Sequence, residues 1–179
     1  MRIFIAIAAT IGAGLATGCW RGQWGWEMLN NQERLYIASG VVIVMTISIR
    51  ASLRPLPQWL SVLLPFVLSL LFSTVIWTIF EPRFHLNFYG NGILCLMRSV
   101  PSAIFTAIVA HFILKLPSRL SCALLAAAAG IVAQTIYCPI VESRHMAIFH
   151  AGQLLLWPLL ATLLPSNKSG TGVSSRAPG

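Results

Sequence analysis

The residues best equipped for chemistry stand together in Tyr137-Cys138-Pro139-Ile140-Val141-Glu142-Ser143-Arg144-His145, with His150 shortly after. This stretch joins two apolar segments and brings a thiol, a helix-stopping proline, both charge signs and two imidazoles into one short connection. A second thiol, Cys95, opens an apolar segment well upstream. Two thiols can form a disulfide when their Cα atoms come within about 4.4–6.8 Å. The plainer reading is two small buried residues, since cysteine without a bridge is among the most buried residue types. Cys138, His145 and His150 are also metal-ligand types, but their spacing matches no strong zinc pattern, so the sequence assigns no metal and no cofactor. His111, near the other end of Cys95's segment, has no evident partner for a bis-histidine haem. There is no Ser/His/Asp grouping and no glycine-rich phosphate loop. Every acid, Glu27, Glu33, Glu81 and Glu142, falls in a predicted loop. The sequence therefore offers no enzymatic machinery.

The elements that must position these groups are membrane helices. Of 179 residues, 57% are hydrophobic and only 9% charged, against roughly 25% charged in soluble domains. So few charges cannot cover a water-facing surface. The net charge of +8 would elsewhere suggest nucleic acid, but here the basic residues sit in short loops between apolar runs, where they orient helices. No basic run is long enough to track a phosphate backbone, so the partners expected are membrane lipids and not nucleic acid. The four cysteines, Cys19, Cys95, Cys122 and Cys138, form no C-x-x-C pair, which leaves a disulfide scaffold or thioredoxin-type site without support.

The apolar pattern predicts an all-α integral membrane bundle of six helices, with spans near 3–18, 35–50, 58–80, 92–114, 120–138 and 146–164 in one domain, 1–165. The Gly/Ser/Pro-rich tail 166–179 is predicted to be disordered. Gly14 and Gly18, spaced G-x-x-x-G, allow another helix backbone to approach closely. The first segment is short for a span of ~20 residues. It reads as an uncleaved helix, a signal peptide, or a lipoprotein leader in which Leu15-Ala16-Thr17-Gly18-Cys19 makes Cys19 the lipidation site. Residues 20–34 read as a loop, with Trp20, Trp24 and Trp26 as an interfacial belt. Pro65 predicts a kink in the third span.

Six spans place both ends on one side and sort the loops into two sets. One holds Arg2, Arg50, Arg54, Lys115, Arg119, Lys168 and Arg176 with no acid; the other holds Arg21, Arg34, Arg83, Arg144 and all the acids. Lys/Arg bias sets orientation, so both termini are expected in the cytoplasm. That puts Cys19, Cys95 and Cys138 at outer helix ends, on the oxidising side of a bacterial inner membrane.

Polar residues within the spans fall in stripes. Cys95, Ser99, Ser102 and Thr106 recur at helical spacing with Arg98 beside them; Ala126, Gly130, Gln134 and Cys138 follow in steps of four; His150, Gln153 and Trp157 repeat on the last span. Such faces point into a bundle, because lipid cannot satisfy them. Cys95 and Cys138 are then the regulatory or disulfide candidates, with Arg98, Gln134 and His150 as a supporting polar site. Arg98, about two turns inside its span, can reach the interface or pair with Glu81 or Glu142.

From Gly90 to Pro165 the chain resembles the NrsF-type family of six-helix bacterial membrane proteins, negative regulators of ECF sigma factors. The resemblance is carried by Gly92, Cys95 and Pro101, by the turn Leu114-Lys115-Leu116-Pro117, and by the run Ala126-Ala127-Ala128-Ala129-Gly130. It continues through Tyr137-Cys138-Pro139 and Phe149-His150. It implies a regulatory protein of a stress response that holds a sigma factor at the membrane and releases it on an outside redox or metal signal, with Cys95 and Cys138 as sensors. The family's usual cytoplasmic segment ahead of the first helix has no counterpart, since only Met1 and Arg2 precede Ile3. Contact with a sigma factor would fall to 50–57, 115–119 and the tail. The reading from another class is an accessory subunit of a membrane complex docked through its small-residue faces, with a small transporter or cofactor-binding protein third.

Overall fold

The computed structural model describes residues 1–19, 30–53, 57–79, 88–116, 118–138 and 143–163; for 17–19, 58, 73, 76–79, 88–91, 137 and 143 it describes only the backbone. Six helices make up the described chain. They are α1 (Arg2–Cys19), α2 (Asn31–Leu53), α3 (Gln58–Ile79), α4 (Phe88–Ile108, continued by a π turn Val109–Ile113), α5 (Arg119–Tyr137) and α6. The last comprises Ser143–His145, a π turn Met146–Ala151 and Gln153–Leu163. Asn31–Leu53, Gly92–Ile113, Arg119–Ile136 and Met146–Leu163 are long and apolar enough to cross a membrane, while Arg2–Ala16 and Trp59–Phe72 are shorter apolar stretches. The protein is all-α and has the character of a membrane protein.

Helix α5 is the axis of the bundle. Every residue from Ala123 to Thr135 is buried, and α1, α2, α4 and α6 all pack against it. Its composition explains this. Ala126-Ala127-Ala128-Ala129-Gly130 keeps the helix thin, so neighbouring backbones approach closely, as small residues allow in membrane bundles. Gly14 of α1 uses that closeness: a Cβ there would stand 2.6 Å from the Val132 side chain. The close approach that Gly14 allows is thus made within the chain, against α5. Large apolar side chains face outward instead, among them Leu35, Leu71, Met97, Phe105 and Leu163.

Packing fixes the direction of each helix. Ala6 near the start of α1 clusters with Met45 and Ile49 late in α2, Ala110 and Leu114 late in α4, and Leu125 early in α5. At the opposite end, Tyr36 early in α2 shares a cavity with Phe72 of α3, Thr135 of α5 and Met146 of α6. Successive helices therefore run antiparallel.

Helix boundaries differ from the sequence reading in one informative place. The loop expected through Arg34 ends sooner, because α2 begins at Asn31. Asn30 and Glu33 form a reciprocal cap: the Glu33 N–H donates to Asn30 Oδ1 at 2.9 Å, and the Asn30 N–H donates to Glu33 Oε2 at 2.8 Å. This satisfies two of the orphan donors of a helix start. Glu33 is thus a buried helix residue, not a loop acid. The Cys19 side chain, Trp20, Trp24, Trp26, Glu27, Glu81, His85, Pro139, Glu142 and the tail 166–179 lie outside the described residues.

Candidate functional site

Four titratable side chains converge where α4 begins, α5 ends and α6 begins. Cys95 projects from the second turn of α4. Cys138 is the C-cap of α5: its backbone leaves the helix with φ −88° and ψ 116°, while its N–H still donates to the Gln134 carbonyl at 2.7 Å. His145 and His150 come from the first turns of α6. All four are buried, at 3%, 5%, 0% and 3% exposure respectively. Their sulfur and ring-nitrogen atoms lie within 4.8 Å of one another. Cys138 Sγ lies 3.2 Å from His145 Nε2, a hydrogen bond whose direction follows the tautomer. No disulfide occurs among the described residues, and Cys95, Cys122 and Cys138 are all thiols.

The two histidines meet because of the π turn. Residues five apart on an α-helix point about 140° away from each other at 3.6 residues per turn. The π turn closes i→i+5 bonds, here with the Gly152 N–H donating to the Ala147 carbonyl at 3.1 Å. Residues five apart then sit one above the other, and the His145 and His150 ring centroids lie 5.3 Å apart. Gly152 permits the turn, since a Cβ there would run into the Ile148 carbonyl. Phe149 also packs against His145, tilted at a centroid distance of 5.2 Å. It fits because position 92 on α4 is glycine; a Cβ at Gly92 would collide with its ring.

Beneath the cluster the three polar stripes meet. Cys95, Ser99, Ser102 and Thr106 are all buried on one face of α4, with Ala126, Gly130, Gln134 and Cys138 on α5 and His150 and Gln153 on α6. Ser99 Oγ lies 3.0 Å from Gln153 Oε1, which also accepts the Trp157 Nε1–H at 3.2 Å. Ser102 Oγ lies 3.4 Å from the Ala129 carbonyl. Gly130 leaves room for the Gln153 amide, which would otherwise strike a Cβ. Both amide atoms of Gln134 lack a hydrogen-bond partner among the described residues.

The structure therefore brings Cys95, Cys138 and His150 together and adds His145. It places Gln134 one turn below Cys138 in the buried seam, and Arg98 half-buried on α4. Cys122 and His111 lie toward the opposite end, His111 exposed against Phe112 at 4.7 Å between ring centroids. The sequence grouped Cys138, His145 and His150 on α6's approach alone, whereas Cys95 of α4 completes a set that could hold a metal ion. The alignment of His145 with His150 was not legible, because straight-helix arithmetic turns residues five apart away from each other.

No protein-family profile, no curated protein and no solved structure matches this chain.

Proposed function

We propose that this protein is a multi-pass inner-membrane regulator that receives an outside signal through the thiol pair Cys95–Cys138, as its resemblance to NrsF-type anti-sigma factors implies. The observation that carries the reading is the meeting of two buried thiols from different helices, with His145 hydrogen-bonded to one of them. A purely apolar bundle has no use for such a group. Thiols, imidazoles and amides within a span cost free energy unless they face one another, and here they lie together along one buried seam. A pair bridging α4 and α5 can change how those helices pack. Oxidation joins the two sulfurs and yields two protons and two electrons, taken up by a disulfide or diazene oxidant; the sulfurs then stand about 2.05 Å apart. The charge bias of the loops puts this end outside and leaves Lys115 and Arg119 on the cytoplasmic face, where a sigma factor would be held.

Diamide treatment of the wild-type chain and of the Cys95→Ser and Cys138→Ser variants, read by non-reducing electrophoresis, tests the thiol part. A mobility change lost in either variant is expected; an unchanged wild type sinks it. Co-purification of an ECF sigma factor from reduced membranes, and its loss after oxidation, tests the regulatory part.

A second reading is favoured by one feature of α1. Ala8, Gly12 and Ala16 are exposed at four-residue spacing, and a Cβ at Gly12 would meet open space. This small-residue face suits docking of another membrane helix, as in an accessory subunit. Replacing Gly12 with Leu would then dissociate a complex while the cysteine variants leave it intact.

A further inference from the structure

We propose that Cys95, Cys138, His145 and His150 form a closed four-ligand site for a divalent d10 cation of the Zn2+ type, and that this ion is the ligand of the thiol centre. The inference rests on the reading of that centre as functional and names what it binds.

Donor set, distances and burial point the same way. Two thiolates and two imidazoles are the ligands of tetrahedral zinc. With Zn–S near 2.3 Å and Zn–N near 2.0–2.1 Å, ligand atoms in such a site stand about 3.3–3.8 Å apart. The four atoms already lie within 4.8 Å of one another, so the widest pair closes by about 1 Å, within reach of side-chain rotation. Both ring nitrogens of His150 lack a hydrogen-bond partner among the described residues, at 3% exposure. A buried imidazole is ordinarily hydrogen-bonded; a metal bond would give this one its partner. The π turn that aligns His145 with His150 is a feature enriched at functional sites.

Charge and softness narrow the ion. Two thiolates and two neutral imidazoles cancel a divalent cation, giving a neutral centre, the form least costly to bury in apolar surroundings. A monovalent soft ion would leave one negative charge there. Hard cations seek carboxylate and carbonyl oxygens, and among the described residues no carboxylate belongs to this group. With all four positions supplied by protein, no site remains for a reactive water, as in structural rather than catalytic zinc sites. Binding balances as one Zn2+ and two thiols giving a zinc dithiolate and two protons. The count holds however Cys138 and His145 share a proton, because a thiolate–imidazolium pair carries the same number of protons as a neutral pair.

The test uses the full chain, purified reduced in detergent, with Co2+ as a spectroscopic probe and Zn2+ as its competitor. One equivalent of Co2+ is expected to give intense tetrahedral d–d bands and a thiolate-to-cobalt charge-transfer band, displaced by one equivalent of Zn2+ with release of two protons. Cys95→Ser and Cys138→Ser each reduce the charge-transfer band, and His145→Gln and His150→Gln weaken binding at least 100-fold. Cys122→Ser changes neither. Weak octahedral Co2+ spectra, or spectra identical across all four ligand variants, overturn the proposal. Should a variant fail to fold, the wild type decides alone: Zn2+ must protect two thiols per chain, Cys95 and Cys138, from alkylation after mild detergent loosening, and protection of neither overturns it. Diamide cross-linking without metal binding leaves the redox reading standing and removes this one. Metal binding without cross-linking does the reverse.

Discussion

Among the described residues two π turns interrupt this bundle, each carrying a histidine, and they end in opposite situations. On α4 the turn Val109–Ile113 carries His111, which is exposed beside Phe112. On α6 the turn Met146–Ala151 carries His150, buried among Cys95, Cys138 and His145. The backbone device is the same. What differs is what the neighbouring helices bring. At the first turn α5 presents its alanine-rich start and the packing is apolar, with Leu114, Leu125 and Ala128. At the second, α4 and α5 each end a polar stripe with a thiol. A π turn and a histidine do not make a site; three helices ending polar faces at one depth do.

The sharpest way to break this contrast is to remove a thiol. Cys138→Ser or Cys95→Ser should remove about half of the thiolate-to-metal charge transfer and weaken Zn2+ by well over 100-fold, since even outer-shell partners of a metal ligand are worth 10–100-fold. Competition with a chromogenic chelator measures the loss. Cys122→Ser, in a half-buried position on the far part of α5, is the matched control.

Next in size is the backbone device. Gly152→Ala puts a methyl group against the Ile148 carbonyl and should drive the turn toward ordinary α-helix, swinging His145 and His150 out of register. A loss of about 10–100-fold in Zn2+ affinity is expected, in line with misoriented ligands elsewhere, with most of the helical circular dichroism retained. Unchanged affinity would mean that the π turn does not align the ligands.

Gly92→Ala acts one step further out. The added methyl meets Phe149, the ring that packs against His145, and overpacking of this kind typically costs about 1–3 kcal/mol. A lowered thermal midpoint in detergent, with about tenfold weaker metal binding, is expected. Lost stability with unchanged binding would show that Phe149 supports the fold and not the histidine.

These predictions separate what the sequence exposed from what it hid. In a chain this apolar, each polar residue stands out, so the stripes on α4, α5 and α6 and the common depth of Cys95 and Cys138 could be read from spacing. The central place of α5 was foreshadowed by Ala126–Gly130, whose small side chains fit only where neighbours crowd. The direction in which Gly14 faces could not be read, because a small residue serves an internal and an external neighbour equally. The start of α2 was missed because Asn30 and Glu33 look like loop residues until their reciprocal hydrogen bonds are seen. The stacking of His145 against His150 could not be read, because an α-helical wheel separates residues five apart by about 140°, and the π turn reverses that. Gly152, in a run otherwise free of glycine from Ser143 to Leu163, was the only hint.

The smallest expected effect is also the cleanest test of the comparison. His111→Gln alters a histidine in a π turn, as His150→Gln does, but one that is exposed and outside the four-residue group. An exposed substitution away from special packing stays within about 0.5 kcal/mol, so neither the thermal midpoint nor the Co2+ spectrum should move. If the spectrum did move, a fifth ligand, this imidazole, or a second ion would have to be present, and convergence of helix ends would no longer explain where this bundle binds metal. If it does not, then two histidines on the same backbone motif differ only in company. The specificity of the site then resides in α4 and α5 delivering Cys95 and Cys138 to the histidines of α6.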